Sequence, residues 1–255
     1  MLSPLPILLS VTGLSIGYRS KTIVEDITCN LACGEVLAVV GHNGSGKSTL
    51  VKTLLGSLPP LAGLLDWPSG RPRSIAHLGQ GTDFDSRLPI RVRDVVEMGA
   101  WPGLGLFGRI DNACRDRIGY ALERTGITEI ADMPLHKISS GQLQRTLFAR
   151  TIVQDAQLIL LDEPFTAVDQ TTEDVLIRLV DDWATEGRTV ILILHDLSTV
   201  LQHCNSVLLL GGGGALFGVP KQTLTPGNLI AYRYLSQSQA AWLGDMYSQS
   251  IANYV

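Results

Sequence analysis

Residues 36–49 read VLAVVGHNGSGKST, an apolar run followed by a glycine-rich segment that ends in lysine, serine and threonine. The apolar run predicts a β-strand covered on both faces, as in a parallel sheet. The segment from Gly41 to Ser48 fits the phosphate-binding pattern G-x-x-x-x-G-K-[S/T] in full. Apolar residues then recur at helical spacing from Leu50 to Leu58, which predicts a helix directly after the loop. This order of strand, loop and helix is the context that phosphate binding requires.

The residue types in this loop suit the binding of a phosphate chain. Glycines let the backbone curl so that successive N–H groups point at one anion, and the following helix N-terminus reinforces them. Lys47 brings a compact positive charge to the β- and γ-phosphates, and the Ser48 hydroxyl can bind Mg²⁺. The alternative, a glycine-rich turn with a chance lysine, leaves the flanking strand and helix unexplained. The predicted nucleotide-binding residues are Gly41, His42, Asn43, Gly44, Ser45, Gly46, Lys47, Ser48 and Thr49.

Further apolar runs predict the rest of a layered fold. Residues 158–161 and 190–194 predict buried strands, with helical spacing over 175–183 between them, and residues 207–210 predict another strand. Strands that alternate with helices imply right-handed crossovers and a largely parallel sheet, so the fold class is predicted to be α/β. Alternating apolar residues at 14–18 predict a small antiparallel region near the start.

The middle of the chain differs from its flanks. From residue 83 to residue 152 there are helical signals without a convincing buried strand, which predicts a helical insertion into the α/β core. Within it, residues 99–108 hold four glycines together with bulky apolar side chains. Such a loop either receives a partner or completes the core of the insertion itself.

Two acidic residues follow the predicted strand at 158–161. An acidic residue at the end of a parallel strand beside a phosphate loop is placed to hold Mg²⁺, which predicts that role for Asp162. Glu163 is then positioned to polarise an attacking water as a general base. Taken alone, two carboxylates at a strand end fit a solvated turn equally well. The complete phosphate loop favours the catalytic interpretation.

Two more segments offer groups to a phosphate. Residues 139–142, Ser-Ser-Gly-Gln, open a predicted helix with free N–H groups and a hydroxyl, although such a string by itself is most often a plain helix N-cap. His195 closes the apolar run at 190–194 with Asp196 beside it, where an imidazole can meet a γ-phosphate. The other histidines outside the loop lack the spacing of metal ligands. They are His77, His136 and His203.

In their order and spacing, these segments resemble the ATP-binding subunit of ABC transporters over most of the chain. Residues 41–48 resemble the Walker A motif, residues 139–142 the signature motif, residues 158–163 Walker B with its glutamate, and residues 166–169 the D-loop. The resemblance implies that Tyr18 stacks on adenine, that Gln80 binds Mg²⁺ and that Gln80 and His195 sense the γ-phosphate. It also implies nucleotide contacts for Ser139, Ser140, Gly141, Gln142 and Asp169.

One position departs from the family pattern. The signature usually reads L-S-G-G-Q, whereas residues 138–142 here read I-S-S-G-Q, so that Ser140 stands where a glycine is usual. A Cβ is thereby added where backbone approaches phosphate closely. We expect signature geometry and turnover rate to be the properties that the change affects.

The resemblance implies a RecA-like P-loop NTPase core with a mostly parallel sheet, an N-terminal antiparallel β subdomain and an inserted α-helical subdomain, within one ABC ATPase domain over residues 1–255. The core with its antiparallel part would cover about 1–82 and 153–220, the helical subdomain about 83–152 and a C-terminal extension about 221–255. Two copies would face head to tail with ATP between them.

The family also implies membrane partners. A separate integral-membrane permease would bind the ATPase at the cytoplasmic face, with residues 101–107 either receiving a permease helix or capping their own subdomain. An extracytoplasmic substrate-binding protein would act indirectly. The segments at residues 84–99, 163–173 and 224–229 resemble the sequences of the importer branch that serves manganese, zinc and iron. The implied function is therefore ATP-driven import of a divalent metal. The metal itself is selected by the other components.

Two alternatives belong to other classes. One is an ABC-type ATPase of a transporter for a non-metal substrate. The other is a soluble ABC-type ATPase that acts on DNA or ribosomes, but between Lys47 and Asp162 the sequence has neither a long coiled coil nor a zinc module, and it carries one cassette. A nucleotide kinase would share the phosphate loop without explaining residues 139–142 or His195.

The charge and hydropathy of the chain argue against several other classes of protein. A net charge of −4 over 255 residues argues against a nucleic-acid surface. A mean hydropathy of +0.21 raises the question of a membrane, yet the longest apolar stretch, residues 207–219, contains five glycines and is too short to span. Residues 1–9 lack a basic region and contain prolines, so no signal peptide is expected. The tail at 236–255 fits either a docking helix or disorder.

Cysteine usage points to a reducing compartment. Four cysteines in a chain of this length do not form a disulfide framework, and no second pair completes a metal site with Cys29 and Cys33. Reduced thiols in a cytosolic protein are therefore expected. The other two cysteines are Cys114 and Cys204.

Overall fold

The computed structural model describes residues 5–19, 21–79, 89–104 and 110–236. These residues fall into two compact units. The first unit comprises the chain up to residue 70 together with residues from 193 onward, and the second comprises residues 71–192. Within the part of the chain that the structure describes, no helix has the length and apolar character needed to cross a membrane.

The elements alternate along the chain as the sequence predicts. The strands are β1 (Ile7–Tyr18), β2 (Lys21–Ala32), β3 (Val36–Gly41), β4 (Ala62–Asp66), β5 (Ile75–Leu78), β6 (Leu158–Asp162), β7 (Thr189–Ile193), β8 (Ser206–Gly211) and β9 (Gly214–Gly218). The helices are α1 (Lys47–Leu54), α2 (Val92–Glu97), α3 (Trp101–Leu104), α4 (Asn112–Arg124), α5 (Ser140–Gln154), α6 (Gln170–Thr185), α7 (Leu197–His203), α8 (Pro220–Thr223) and α9 (Pro226–Ala231).

The first unit contains two kinds of strand pairing. β1 lies between β2 and β4 and pairs antiparallel with both, which confirms the antiparallel region predicted near the start. β3 pairs parallel with β8, and β8 pairs antiparallel with β9. Every residue of β3 and of β8 is buried, as the continuous apolar runs predict for strands covered on both faces.

Helix α1 is shorter than its apolar spacing predicts. It ends at Leu54, so Leu58 lies beyond it. The cause is Gly56, which takes the left-handed conformation at φ 78°, and the Ser57 N–H then donates to the Lys52 carbonyl. A left-handed glycine with this hydrogen bond is a common way for a helix to end. The prediction of a helix after the loop is confirmed, and its predicted end is wrong by about one turn.

The described residues of the second unit form three strands and five helices. β6 lies between β5 and β7 in the strand order and pairs parallel with β5. Among the described residues from 89 to 154 there is no strand. The regular structure there consists of helices and short 3₁₀ turns, with an isolated antiparallel β-bridge between Arg91 and Pro134. The long helices α5 and α6 pack against each other through Phe148 and Trp183, whose rings stack with centroids 5.6 Å apart. These buried rings fix α5, which carries the signature-like segment, against α6.

Candidate nucleotide site

The glycine-rich loop of the first unit runs from the end of β3 to the start of α1. Gly46 caps the helix in the left-handed region at φ 107°, and a Cβ there would lie 2.5 Å from Val24 Cγ2. A Cβ at Gly41 would lie 2.3 Å from Ser45 Oγ and 2.5 Å from the Leu210 carbonyl oxygen. A side chain at either position therefore fits only if its surroundings move. The glycines of the motif are required by this curled backbone.

Lys47 is anchored inside the loop. Its side chain is buried, and Nζ donates to the Gly41 carbonyl at 2.6 Å and to the His42 carbonyl at 3.2 Å. The ammonium thus sits where the loop backbone curls, at the N-terminus of α1. A positive charge at a helix N-terminus adds to the partial charge of the free N–H groups.

The loop has the properties that a triphosphate requires. Gly44 takes φ 83°, and a Cβ there would meet nothing within 4 Å, so the space beside the loop at Gly44 is open. The Ser45 Oγ is buried without a hydrogen-bond partner, which leaves hydrogen-bonding capacity inside the loop. Together with the Lys47 ammonium and the start of α1, these features fit an anion of high charge.

Tyr18 lies at the end of β1 with its ring fixed on helix α1. Lys52 Nζ donates to the phenol oxygen at 3.3 Å and lies 5.6 Å from the ring centroid. Hydrogen bonds with the Thr49 and Lys52 side chains lower the pKa of Tyr18. Tyr18 is 43% exposed, so the residue is partly open to solvent.

His195 belongs to the same unit as the loop. The Leu194 N–H donates to the Val39 carbonyl at 3.2 Å, which attaches the residue before His195 to β3, the strand that leads into the loop. The His195 carbonyl accepts a hydrogen bond from the Tyr234 phenol at 2.6 Å. Sequence reasoning did not find Tyr234, because a contact over this chain distance leaves no local pattern.

Asp196 caps helix α7 directly after His195. Its carboxylate accepts from the N–H and the hydroxyl of Ser198, at 3.2 and 2.5 Å, and from the same groups of Thr199, at 3.0 and 2.7 Å. Although burial alone would raise the pKa of Asp196, these hydrogen bonds outweigh it and lower the pKa to about 2. The sequence placed Asp196 beside His195, and the structure shows that its bonds fix the turn.

The signature-like segment of the second unit is a reciprocally capped helix start. The Ser139 hydroxyl accepts from the Gln142 N–H at 3.2 Å, and the Gln142 side chain accepts from the Ser139 N–H at 2.9 Å. This capping box confirms the prediction that residues 139–142 open a helix. Ser139 and Ser140 are exposed and Gly141 is buried, with its Cα close to Thr172.

The acidic pair lies where β6 ends. Asp162 is the last residue of the strand, and Glu163 follows in the left-handed region at φ 52°, which is uncommon for a residue with a Cβ. Asp169 caps α6 by accepting from the N–H and the hydroxyl of Thr172, at 2.9 and 3.0 Å, and these bonds lower its pKa. The second unit thus contains residues 139–142, the acidic pair and Asp169.

Several of the predicted positions lie outside the described residues or outside the glycine-rich loop. Gln80 lies outside the described residues, as do residues 84–88 and residues 105–108 of the glycine-rich segment at 99–108, whereas Trp101 is described and 61% exposed. His77 lies on β5, where burial and the charge of Arg150 lower its pKa. In the described ranges no group of three or more His, Cys, Asp or Glu side chains could hold a metal ion.

Comparison with known proteins finds similar proteins along most of the chain. The sequence profile of the ABC transporter family matches residues 24–166. The manganese transport system ATP-binding protein MntB of Listeria monocytogenes is 34% identical over 221 residues, which cover 85% of this chain and 92% of that protein. The zinc transport system ATP-binding protein TroB of Treponema pallidum is 37% identical over 205 residues, 78% of this chain and 77% of that protein.

A solved structure gives the same result at the level of the fold. It is described as an inward-facing metal-chelate type ABC transporter, and it is similar to this chain with a TM-score of 0.80 and 32% identity. The match covers 90% of each chain. The capped helix starts, the glycine-rich loop and these similarities lead to one conclusion, which is that the chain belongs to the ABC transporter family as an ATP-binding subunit.

Proposed function

We propose that this protein hydrolyses ATP to power the import of a divalent metal ion, which is manganese, zinc or iron, through a separate permease. The observation that carries the proposal is the complete phosphate loop, with Lys47 buried at its centre. The named functions of similar proteins, which include manganese and zinc transport systems, support the metal as cargo.

In this proposal the first unit binds the nucleotide. The curled backbone of residues 41–46 directs N–H groups at the phosphates, and Lys47 exchanges its bonds to the Gly41 and His42 carbonyls for bonds to phosphate oxygens. The Tyr18 ring stacks on the adenine, and His195 meets the γ-phosphate at the end of β7. Tyr234 holds the backbone of His195 while it does so.

The second unit supplies the general base for hydrolysis in our proposal. Glu163 accepts a proton from the attacking water, and its own chain presents it directly after β6. Ser48, Gln80 and Asp162 are the residues that we propose to hold Mg²⁺, since a hydroxyl, an amide and a carboxylate supply the oxygen ligands it prefers. When bound, Mg²⁺ would neutralise charge that develops on the phosphate oxygens.

A second copy of the chain completes the site in our proposal. The helix start at residues 139–142 presents two exposed serines, Ser139 and Ser140, and Asp169 caps a neighbouring helix start. In a head-to-tail dimer these groups of one copy contact the nucleotide held by the loop of the other. The contacts that the γ-phosphate makes with the second copy exist only in the closed dimer, so hydrolysis removes them and the dimer reopens.

The remaining partners are membrane components. We propose that the ATPase binds an integral-membrane permease at the cytoplasmic face as a peripheral subunit, and that a substrate-binding protein outside the membrane delivers the metal. We place the permease contact at residues 101–107, where Trp101 is 61% exposed.

Replacement of Glu163 tests the proposal. Glu163→Gln keeps the shape of the side chain and removes the base, so we expect retained ATP binding, loss of at least about 100-fold in turnover and accumulation of an ATP-bound dimer. ATP binding by calorimetry, phosphate release and dimer mass by light scattering measure the three results.

Glu123→Gln is the matched control, because Glu123 is an exposed glutamate on α4 of the same unit. We expect it to hydrolyse ATP at the parental rate. Parental turnover in Glu163→Gln would show that another group acts as the base and would refute this part of the proposal.

A further inference from the structure

The loop that follows β6 holds an unusual backbone. Glu163 and Ala167 both take left-handed conformations, at φ 52° and φ 61°. Neither is a glycine, and a Cβ makes this region unfavourable. A conformation of this kind persists only where the surroundings determine it. The contacts that hold residues 163–169 therefore decide where Glu163 lies.

Helix α5 supplies those contacts from two successive turns. Gln144 Nε2 donates to the Pro164 carbonyl at 2.6 Å, and Ser140 Oγ donates to the Ala167 carbonyl at 3.0 Å. Residues four apart lie on the same face of a helix, so both side chains reach the loop together. The bond from Gln144 is to the residue directly after Glu163, and the bond from Ser140 is to Ala167, the other left-handed residue.

The far end of the loop is attached to the same helix. Arg145 donates to the Thr172 hydroxyl at 3.1 Å, and Thr172 in turn donates to both carboxylate oxygens of Asp169. Gly141 packs here, since a Cβ on it would lie 3.2 Å from Thr172 Oγ1. The loop is thus fixed to α5 at its beginning, near its middle and at its end.

Ser140 is the member of this set that departs from the usual family signature. A glycine at this position has no hydroxyl and cannot bond the Ala167 carbonyl. The exposed Ser140 side chain does so at the first residue of α5. The substitution thus adds a hydrogen bond between the signature-like segment and the loop that carries Glu163.

We propose that Ser140 is a positioning residue which, together with Gln144, holds residues 163–169 in the conformation that orients Glu163. A displacement of the start of α5 is passed through the Ala167 and Pro164 carbonyls to the base of the same chain. This inference rests on the proposed role of Glu163 and goes beyond it, because it gives Ser140 an effect within its own chain in addition to any nucleotide contact.

Hydrogen exchange on the nucleotide-free chain tests the contact itself. In Ser140→Ala and Ser140→Gly we expect the amides of residues 164–169 to exchange about 3- to 10-fold faster, as the loss of one exposed hydrogen bond implies. Ser140→Thr keeps a hydroxyl and should retain most of the protection. Unchanged exchange in the Ala and Gly variants would overturn the proposal.

Steady-state kinetics test the consequence. We expect Ser140→Ala and Ser140→Gly to lower kcat by about 3- to 10-fold at unchanged KM for ATP, with rescue by Ser140→Thr. Ser57→Ala is the matched control, since the Ser57 hydroxyl also donates to a backbone carbonyl at 3.0 Å but far along the chain from the acidic pair. A raised KM with parental kcat would mean that Ser140 acts on the nucleotide alone and would overturn the positioning role.

The two proposals fail in different experiments. If Glu163→Gln hydrolyses ATP at the parental rate, the role of Glu163 is wrong whatever the exchange data show. If Glu163→Gln is inactive and Ser140→Ala has parental exchange and kcat, the role of Ser140 is wrong while the proposed function stands.

Discussion

The glycine-rich loop and the loop after β6 reach their conformations by different means. In residues 41–46 the backbone conformation requires glycine. A Cβ at Gly41 would lie 2.3 Å from Ser45 Oγ and a Cβ at Gly46 would lie 2.5 Å from Val24 Cγ2, closer than non-bonded atoms can approach. In residues 163–169 two left-handed residues carry side chains, and hydrogen bonds from Ser140 and Gln144 hold them.

This difference determines how each region tolerates change. A loop shaped by glycines is specified locally, so a single added methyl group disturbs it. A loop held by side chains from another helix depends on where that helix lies, and so it can respond to the helix. Binding of phosphate suits the first arrangement, and a reaction that must be coupled to a partner suits the second.

The largest expected effect is the loss of the loop's buried cation. Lys47→Ala removes the ammonium that the Gly41 and His42 carbonyls hold in place. We expect ATP affinity to fall by about 100-fold or more, because several charge-assisted bonds to phosphate disappear together. Calorimetric titration with ATP measures the change.

Lys221→Ala is the control for this prediction, since Lys221 is an exposed lysine on α8 of the same unit. Its affinity for ATP should equal that of the parent. Parental affinity in Lys47→Ala would mean that the glycine-rich loop does not bind the phosphates.

Alanine at two glycines of the loop separates steric from conformational cost. Gly46→Ala should destabilise the fold by about 3 kcal/mol, since φ is 107° and the new methyl meets Val24. Gly44→Ala should cost only about 1 kcal/mol, since φ is 83° but the space is open. Urea unfolding measures both, and equal costs would contradict the packing argument.

The turn after His195 provides the smallest effect, and it depends on pH. Asp196→Ala removes the cap of α7 and should lower the free energy of unfolding by about 1 kcal/mol at pH 7. The pKa of Asp196 is lowered from 3.8 to about 2 in the folded protein, so its ionised form stabilises the fold above pH 4.

That stabilisation is lost as the pH falls from about 4 towards 2, where the carboxylate becomes protonated in the folded state as well. The difference between parent and variant in urea unfolding should therefore shrink over this range. Asp116→Ala, which alters an exposed aspartate within α4, is the control with no cap to lose. A difference that does not change with pH would contradict the assigned role of the Asp196 carboxylate.

The sequence predicts the parts of the site that depend on local pattern. Buried runs such as 158–161 identify the central strands, and the glycine loop is specified by residue type alone. The end of α1 is the exception, because Gly56 stops the helix before the apolar spacing does. At such a point the apolar spacing predicts that the helix continues, but a glycine in the left-handed conformation ends it.

Contacts between distant parts of the chain could not be predicted in this way. Ser140 is visible in the sequence only as a departure from the family pattern, and its bond to the Ala167 carbonyl depends on how α5 packs. Tyr234 reaches the His195 carbonyl from the end of the described chain for the same kind of reason. Side-chain bonds of this type follow from tertiary structure and carry no periodic signal.

Metal uptake tests the central claim most directly. The protein is reconstituted with its permease and binding protein in vesicles, and ATP-dependent accumulation of manganese, zinc and iron is measured with the parent and with Glu163→Gln. We predict that one of the three metals accumulates with the parent and that none accumulates with Glu163→Gln. Equal accumulation with both proteins, or ATP hydrolysis by the assembled parent complex without accumulation of any of the three metals, would contradict the account.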